Sequence, residues 1–288
     1  MHDESNIFEL GCLIQLSISR WMGTKKINSK VVEDKMGQWV KGTKNLVDPN
    51  EISRINKIAS LARKYLESHA LPFPIKGLVF VSKDSIDKID AKLTEFQEEF
   101  YERVSRFPYE TLIERAEYVL KGLFDPKDYP SDINKKFKFE WKFLILTTPD
   151  KASLLSPELY AREKEKFLTT MEEAREMGIM ALRTEFGGMV QHLCDKLTPD
   201  EDGKRKIFKN SSVEGFQSFL DNFKDRNAFD DSELESLVDK AHEIIGYYSG
   251  NDMRDNDGLA NIILDEMSKV KNNFDENLTD VGREIDVN

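Results

Sequence analysis

The sequence predicts an α+β protein in which helix predominates, with a small sheet of about three strands packed by helices and a long helical hairpin or coiled-coil region. Three observations carry this. First, Phe137–Leu146 reads FKFEWKFLIL, with Phe137, Phe139, Trp141, Phe143 and Ile145 on alternate positions and Lys138, Glu140 and Lys142 between them. A strand turns successive side chains to opposite faces, so this run has an apolar side and a charged side. Second, two apolar runs of strand length lie upstream, near residues 13–20 and 77–81, and a lone strand needs such partners. Third, residues 156–197 carry apolar side chains at spacings of three and four, a stripe about 40 residues long that would span about 60 Å as helix.

Taken in order, CLIQLSISR (12–20) places Ile14, Leu16 and Ile18 on one face of a strand. The turn Trp21-Met22-Gly23-Thr24 and the pair Lys25, Lys26 follow. A phosphate loop does not fit there, because Thr24 rather than lysine follows Gly23 and Ile18 stands where the first glycine belongs. A short helix is expected over 29–41. A longer one is expected over 50–69, where Ile52, Ile55, Ile58, Leu61, Ala62 and Leu66 form a stripe, and Pro72 and Pro74 follow its end. GLVFV (77–81) reads as a strand buried on both faces. Ser82 and Ser85 offer caps for a helix over about 85–106, Pro108 interrupts it, and 109–122 resumes. A loop at 125–130 leads into the Phe137 strand.

Ser156-Pro157 opens the long helix, where proline suits the first turn. Gly178 and the Gly187-Gly188 pair weaken it and leave room for a bend or a close helix contact. After a turn at 198–203, helices are expected near 211–224, 231–248 and 258–277. The chain is accordingly expected to divide into a mixed core over 1–150 and a long-helix region over 151–288, acidic and helical after 200.

Charge supports that division. The 42 Lys/Arg and 53 Asp/Glu give −11. Residues 200–288 hold 22 Asp/Glu against 11 Lys/Arg, so the chain before them is balanced. Phosphate backbones would be repelled by the C-terminal part. With 18 Phe, 8 Tyr and 3 Trp the chain is too aromatic for a disordered one. Cys12 and Cys194 are distant and outside any motif, which argues against a disulfide framework. The acidic start MHDESNIFEL is unlike a signal peptide, and no apolar run reaches the roughly 20 residues of a membrane helix. A cytoplasmic protein, without membrane contact, is the expectation.

Motifs for chemistry are missing: GxxxxGK[ST], GxGxxG, HExxH, CxxC and GxSxG do not occur. His2, His69, His192 and His242 have no second ligand at metal spacing. An EF-hand over Asp252–Glu266 fails, because with Gly258 at the sixth position Met253 and Leu264 would replace the first and last carboxylates. Glu98, Glu99 and Glu102 read as a solvated helix face. Neither a cofactor nor a metal is expected, and no catalytic residue is assigned. The remaining candidate is basic and aromatic: Lys136, Lys138 and Lys142 on the Phe137 strand, with Trp21, Lys25 and Lys26 in the early turn, as a single-stranded nucleic-acid site. Alternation sets those strand lysines opposite the aromatics. Lys204-Arg205-Lys206 with Lys209 is a second basic cluster.

LIQLSISRWMGTKK (13–26), PIKGLVFVS (74–82) and YPSDINKKFKFEWKFLI (129–145), over roughly the first 200 residues, resemble the bacterial and phage family known as domain of unknown function 3150. The resemblance implies a setting near MoxR-type AAA+ ATPases and von Willebrand A-like proteins, and it supplies no catalytic residues. The resulting expectation is a non-enzymatic interaction or scaffold protein of phage or mobile-element origin, assembling with itself or with a protein partner such as a MoxR-type AAA+ ATPase. The alternatives are a single-stranded nucleic-acid-binding protein and a host–phage conflict factor that binds a protein or small molecule.

Overall fold

The computed structural model describes residues 7–27, 42–147, 156–203, 205 and 209–281. The helix expected over 29–41, and Lys204 and Lys206 of the second basic cluster, lie outside them. Six strands are present among the described residues: β1 (Gly11–Ser19), β2 (Thr24–Lys26), β3 (Thr43–Asn45), β4 (Leu71–Pro72), β5 (Val79–Ser82) and β6 (Lys138–Leu144). The α-helices among the described residues are α1 (Pro49–His69), α2 (Ile86–Ser105), α3 (Tyr109–Leu120), α4 (Pro157–Leu197), α5 (Asn210–Arg226), α6 (Ser232–Ile245), α7 (Gly250–Asp255) and α8 (Asp257–Val281). The protein is α+β and mostly α. The three expected strands form one sheet, in the order β4-β5-β1-β6, with β4 added at its edge and antiparallel to β5; β2 and β3 form a separate antiparallel ladder.

Contacts group the chain into two packing units. One gathers the described residues within Met1–Leu13, Ser68–Ile86 and Leu144–Asn288 (the helical unit); the other holds those within Ile14–Glu67 and Asp87–Phe143 (the basic unit, with 19 Lys/Arg against 16 Asp/Glu). The helical unit has 16 Lys/Arg against 30 Asp/Glu among its described residues.

The helical unit is built around α4, which packs on α8, while α6 packs on α5 and on α8. Phe186 of α4 is fully buried among Phe216 and Phe219 of α5 and Phe274 of α8, at ring separations of 6.0, 6.2 and 5.6 Å. Each such ring contributes about 1.5–3 kcal/mol through the area it removes from water. The glycines of α4 do admit close neighbours. A Cβ at Gly178 would lie 2.7 Å from the ring of Phe229, and one at Gly187 would overlap Phe274. Ser156 caps α4, accepting from Leu159 N at 3.2 Å, with Pro157 in the first turn. Ser82 and Ser85 are used differently from the caps expected. Ser82 makes no side-chain cap, and both hydroxyls donate to the carbonyl of Asp225, Ser85 at 3.3 Å. That carbonyl sits in the last turn of α5, where it has no intrahelical donor.

In the basic unit, α1 buries Ile52, Ile55, Ile58, Ala59, Ala62 and Leu66, the expected stripe apart from Leu61, which is 44% exposed. Phe137 and Phe139 are buried beside Phe100 of α2, with ring centroids at 6.2 and 5.6 Å. The alternation of β6 then fades: Trp141 is half-buried, and Phe143 and Ile145 are exposed. Leu144 and Leu146, of opposite parity, pack on the core of the helical unit instead.

Candidate binding surfaces

Trp21 begins the turn between β1 and β2. Gly23 adopts φ +61°, and a Cβ there would overlap Ile52, so only glycine fits without strain. The indole of Trp21 meets Tyr109 edge-on at 5.5 Å and Phe107 at 6.5 Å. It is half-buried beside Val47, Ile52 and Leu112. The register of the β2–β3 ladder sets Lys25 opposite Lys44, and both reach Asp128, at 3.4 and 2.7 Å. The Lys44 ammonium also donates to the carbonyl of Leu123. The hydrogen bond from Lys44, more than the one from Lys25, holds the Asp128 carboxyl below its usual range. Lys26 is exposed.

Lys136 is exposed at the end of a single 3₁₀ turn before β6, and Lys138 and Lys142 are exposed on the outer face of that strand. Lys138 pairs with Glu140 at 2.7 Å. Behind them, Phe137 and Phe139 face inward, and Trp141 donates from Nε1 to Asp90 Oδ1 at 2.8 Å. Lys136, Lys138 and Lys142 therefore follow one another along the turn before β6 and the strand itself. Trp21, Lys25 and Lys26 sit on a different loop, whose aromatic ring is committed to packing and whose first lysine is committed to Asp128.

Two concave surfaces were beyond sequence reasoning, because each joins segments distant along the chain. In the basic unit a cleft of about 400 Å³ is lined by Val47, Leu112, Ala116, Val119 and Leu120, with Lys44 and the Asp48–Arg115 pair (3.6 Å) among its polar groups. The only hint in the sequence is Val119, an apolar residue that the structure leaves 64% exposed. In the helical unit a groove of about 520 Å³ runs between α4 and α5, over Gly188, Met189, His192, Val213, Gly215 and Phe216.

The two thiols and the arginine of the second basic cluster are buried or engaged. Cys12 and Cys194 are buried free thiols, and burial raises the pKa of each, which suppresses the reactive thiolate. Arg205, from the second basic cluster, donates to the carbonyl of Leu197 at 2.9 Å and to Asp257 and Asn261 of α8. Among the described residues no three His, Cys, Asp or Glu side chains converge in a way that could hold a metal ion. No described helix is long and apolar enough to cross a membrane.

These features describe a mostly helical α+β protein with a recessed surface in each unit. The chain belongs to the family described as protein of unknown function (DUF3150), whose model matches residues 9–163. The match takes in all six described strands and ends seven residues into α4, short of the 200 residues over which the resemblance was expected. Comparison with curated proteins and with solved structures finds no match.

Proposed function

We propose that this protein is a non-enzymatic interaction or scaffold protein that assembles through its helices with a protein partner or a second copy. The observation that carries the reading is the first third of α4. From Pro157 to Thr170 no side chain is fully buried, whereas from Met171 onward nearly every turn contributes one to the core. Fourteen residues of helix, about 21 Å at 1.5 Å per residue, keep a stripe of Tyr160, Phe167 and Leu168 only half-covered. Isolated helix is marginal in water, and its stability comes mostly from packing, so a partner that covers this stripe would stabilise it. A MoxR-type AAA+ ATPase, in a phage or mobile-element setting, is the partner that the family resemblance favours.

Affinity capture from native cells, with light scattering of the purified chain, tests this. Tyr160→Arg with Leu168→Arg should abolish capture of the partner or dissociate the oligomer without lowering thermal stability. A monomer that captures no protein partner overturns the reading.

The charge of the basic unit favours a second reading, single-stranded nucleic-acid binding on the outer face of β6. Binding should then fall steeply with salt and disappear in the triple variant Lys136→Glu, Lys138→Glu, Lys142→Glu. Binding unchanged in that variant removes this site.

A further inference from the structure

We infer that the α4–α5 groove is a docking site for an amphipathic helix with a narrow apolar stripe and cationic flanks, supplied by a partner protein. The inference rests on the interaction-protein reading and deepens it, but it uses a different surface from the first turns of α4.

The groove has the shape for a helix. Along α4 it follows Thr184, Gly188 and His192, at steps of four. The same stripe continues toward the N-terminus through Met180 and Met177, which are 45% and 38% exposed. From Met177 to His192 the stripe is about 23 Å long at 1.5 Å per residue, the length of a helix of about 16 residues. Its floor is apolar, with Met189, Val213 and Phe216. Its walls are low: a Cβ added at Gly188 or at Gly215 would meet nothing within 4 Å. Glycines in the middle of helices cost stability, and neither of these two is explained by packing inside the chain, unlike Gly187 one residue away. Small residues at a helix crossing let two backbones approach closely, and flexible methionines conform to an incoming apolar face.

The charge selects the partner. Among the described residues no Lys or Arg lines the groove. The nearby arginines are turned to other tasks: Arg183 is bound to Asp231 and Arg226 to Glu185. The carboxylate that lines the groove, Glu185, is held by Arg226 at 2.8 Å; Asp195, three residues after the lining His192, and Glu214, between the lining Val213 and Gly215, are exposed, on a unit whose described residues carry 30 Asp/Glu against 16 Lys/Arg. A helix with lysines flanking its apolar stripe complements this rim, and one with glutamates is repelled.

The test uses the full chain and fluorescein-labelled peptides of about 16 residues: a Leu/Lys peptide with apolar positions at helical spacing, the same pattern with Glu replacing Lys, and a scrambled Leu/Lys peptide. Anisotropy should show saturable binding of the patterned Leu/Lys peptide, with the Glu and scrambled peptides about tenfold weaker or worse. Gly188→Leu with Gly215→Leu fills the groove into open space. It should weaken binding by about tenfold or more while leaving the melting temperature unchanged or raised. As a second route, Asp195→Lys with Glu214→Lys should weaken the Leu/Lys peptide and strengthen its Glu counterpart. No saturable binding, equal binding of the Glu peptide, or full binding by the groove-filled variant overturns the proposal. So does a dimer that the groove-filling pair dissolves, since the occupant would then be a second copy. The Tyr160→Arg, Leu168→Arg chain separates the two readings. It should bind the peptide normally, and if it alone loses partner capture while groove filling changes nothing, the interaction reading stands and the groove does not.

Discussion

Arg183 grips Asp231 through two hydrogen bonds, 2.6 Å from Nε and 2.9 Å from Nη2, with the carboxylate only 3% exposed. The same carboxylate caps α6, accepting from Leu234 N at 3.2 Å. One buried side chain therefore ties α4 to the start of α6 and satisfies a helix terminus. Asp231→Ala should cost about 2–5 kcal/mol in urea unfolding, because it removes the cap of α6 and leaves the mostly buried guanidinium to the exposed Glu233 at 3.3 Å. Asp239→Ala, which breaks the exposed pair with Lys224, should cost about 0–1 kcal/mol.

Adjacent glycines of α4 should respond with opposite signs. Gly187→Ala drives a methyl group into Phe274 and should destabilise by about 1–3 kcal/mol. Gly188→Ala enters open space and should stabilise by about 0.5–1 kcal/mol through helix propensity. Thermal unfolding of the two single variants decides the matter, and equal effects would contradict the packing described at Gly187.

Asp128 sets an acid limit on the basic unit. Its folded-state pKa is lowered, chiefly by the hydrogen bond from Lys44, so its stabilising contribution is present above the ordinary carboxylate pKa. That contribution is lost as pH falls through the lowered folded value. Asp128→Asn should therefore be less stable than the parent near neutrality, by about 1–3 kcal/mol for charged hydrogen bonds. The gap should close in acid, beginning near the ordinary value of 3.8. Urea midpoints measured against pH for both chains would show whether it does.

Tyr109 sets an alkaline limit. Burial, then the nearby Glu110 and Tyr129, push its phenol up to about 12 from 10.0, and its hydroxyl donates to the carbonyl of Pro130 at 2.9 Å. A folded pKa above the unfolded one gives stability that is full below pH 10 and is lost as pH rises toward 12. Tyr109→Phe should remove that dependence, and an absorbance titration of the phenols should lose a group that ionises near pH 12.

Periodicity made the framework legible and says little about burial parity. The stripe of α1, the length of α4 and three of the four strands of the main sheet follow from spacing. Ile145 shares the apolar parity of Phe137 and Phe139, yet it is 61% exposed while Leu144 and Leu146 pack. One strand here serves two cores in succession, so a single alternation cannot describe it. In β1, Gly11 to Ile14 are all buried and alternation begins only after Ile14, so this strand starts covered on both faces. The β2–β3 ladder was missed because TKK and TKN carry no apolar signal. At the candidate site, the exposed lysines of β6 were readable, whereas the Trp21 packing, the Lys44–Asp128 bond and the α4–α5 groove each depend on residues far apart in the chain.

The bonds from Ser82 and Ser85 to Asp225 have a consequence for how the chain is made. Their partners are more than 130 residues downstream, and a ribosome adding about 5–20 residues per second needs roughly 7 to 30 s to reach them. During that interval the nascent β4–β5 hairpin carries Leu71, Phe73 and Phe80 without the helices that will cover them, a window in which a chaperone bound near the exit tunnel would find its substrate.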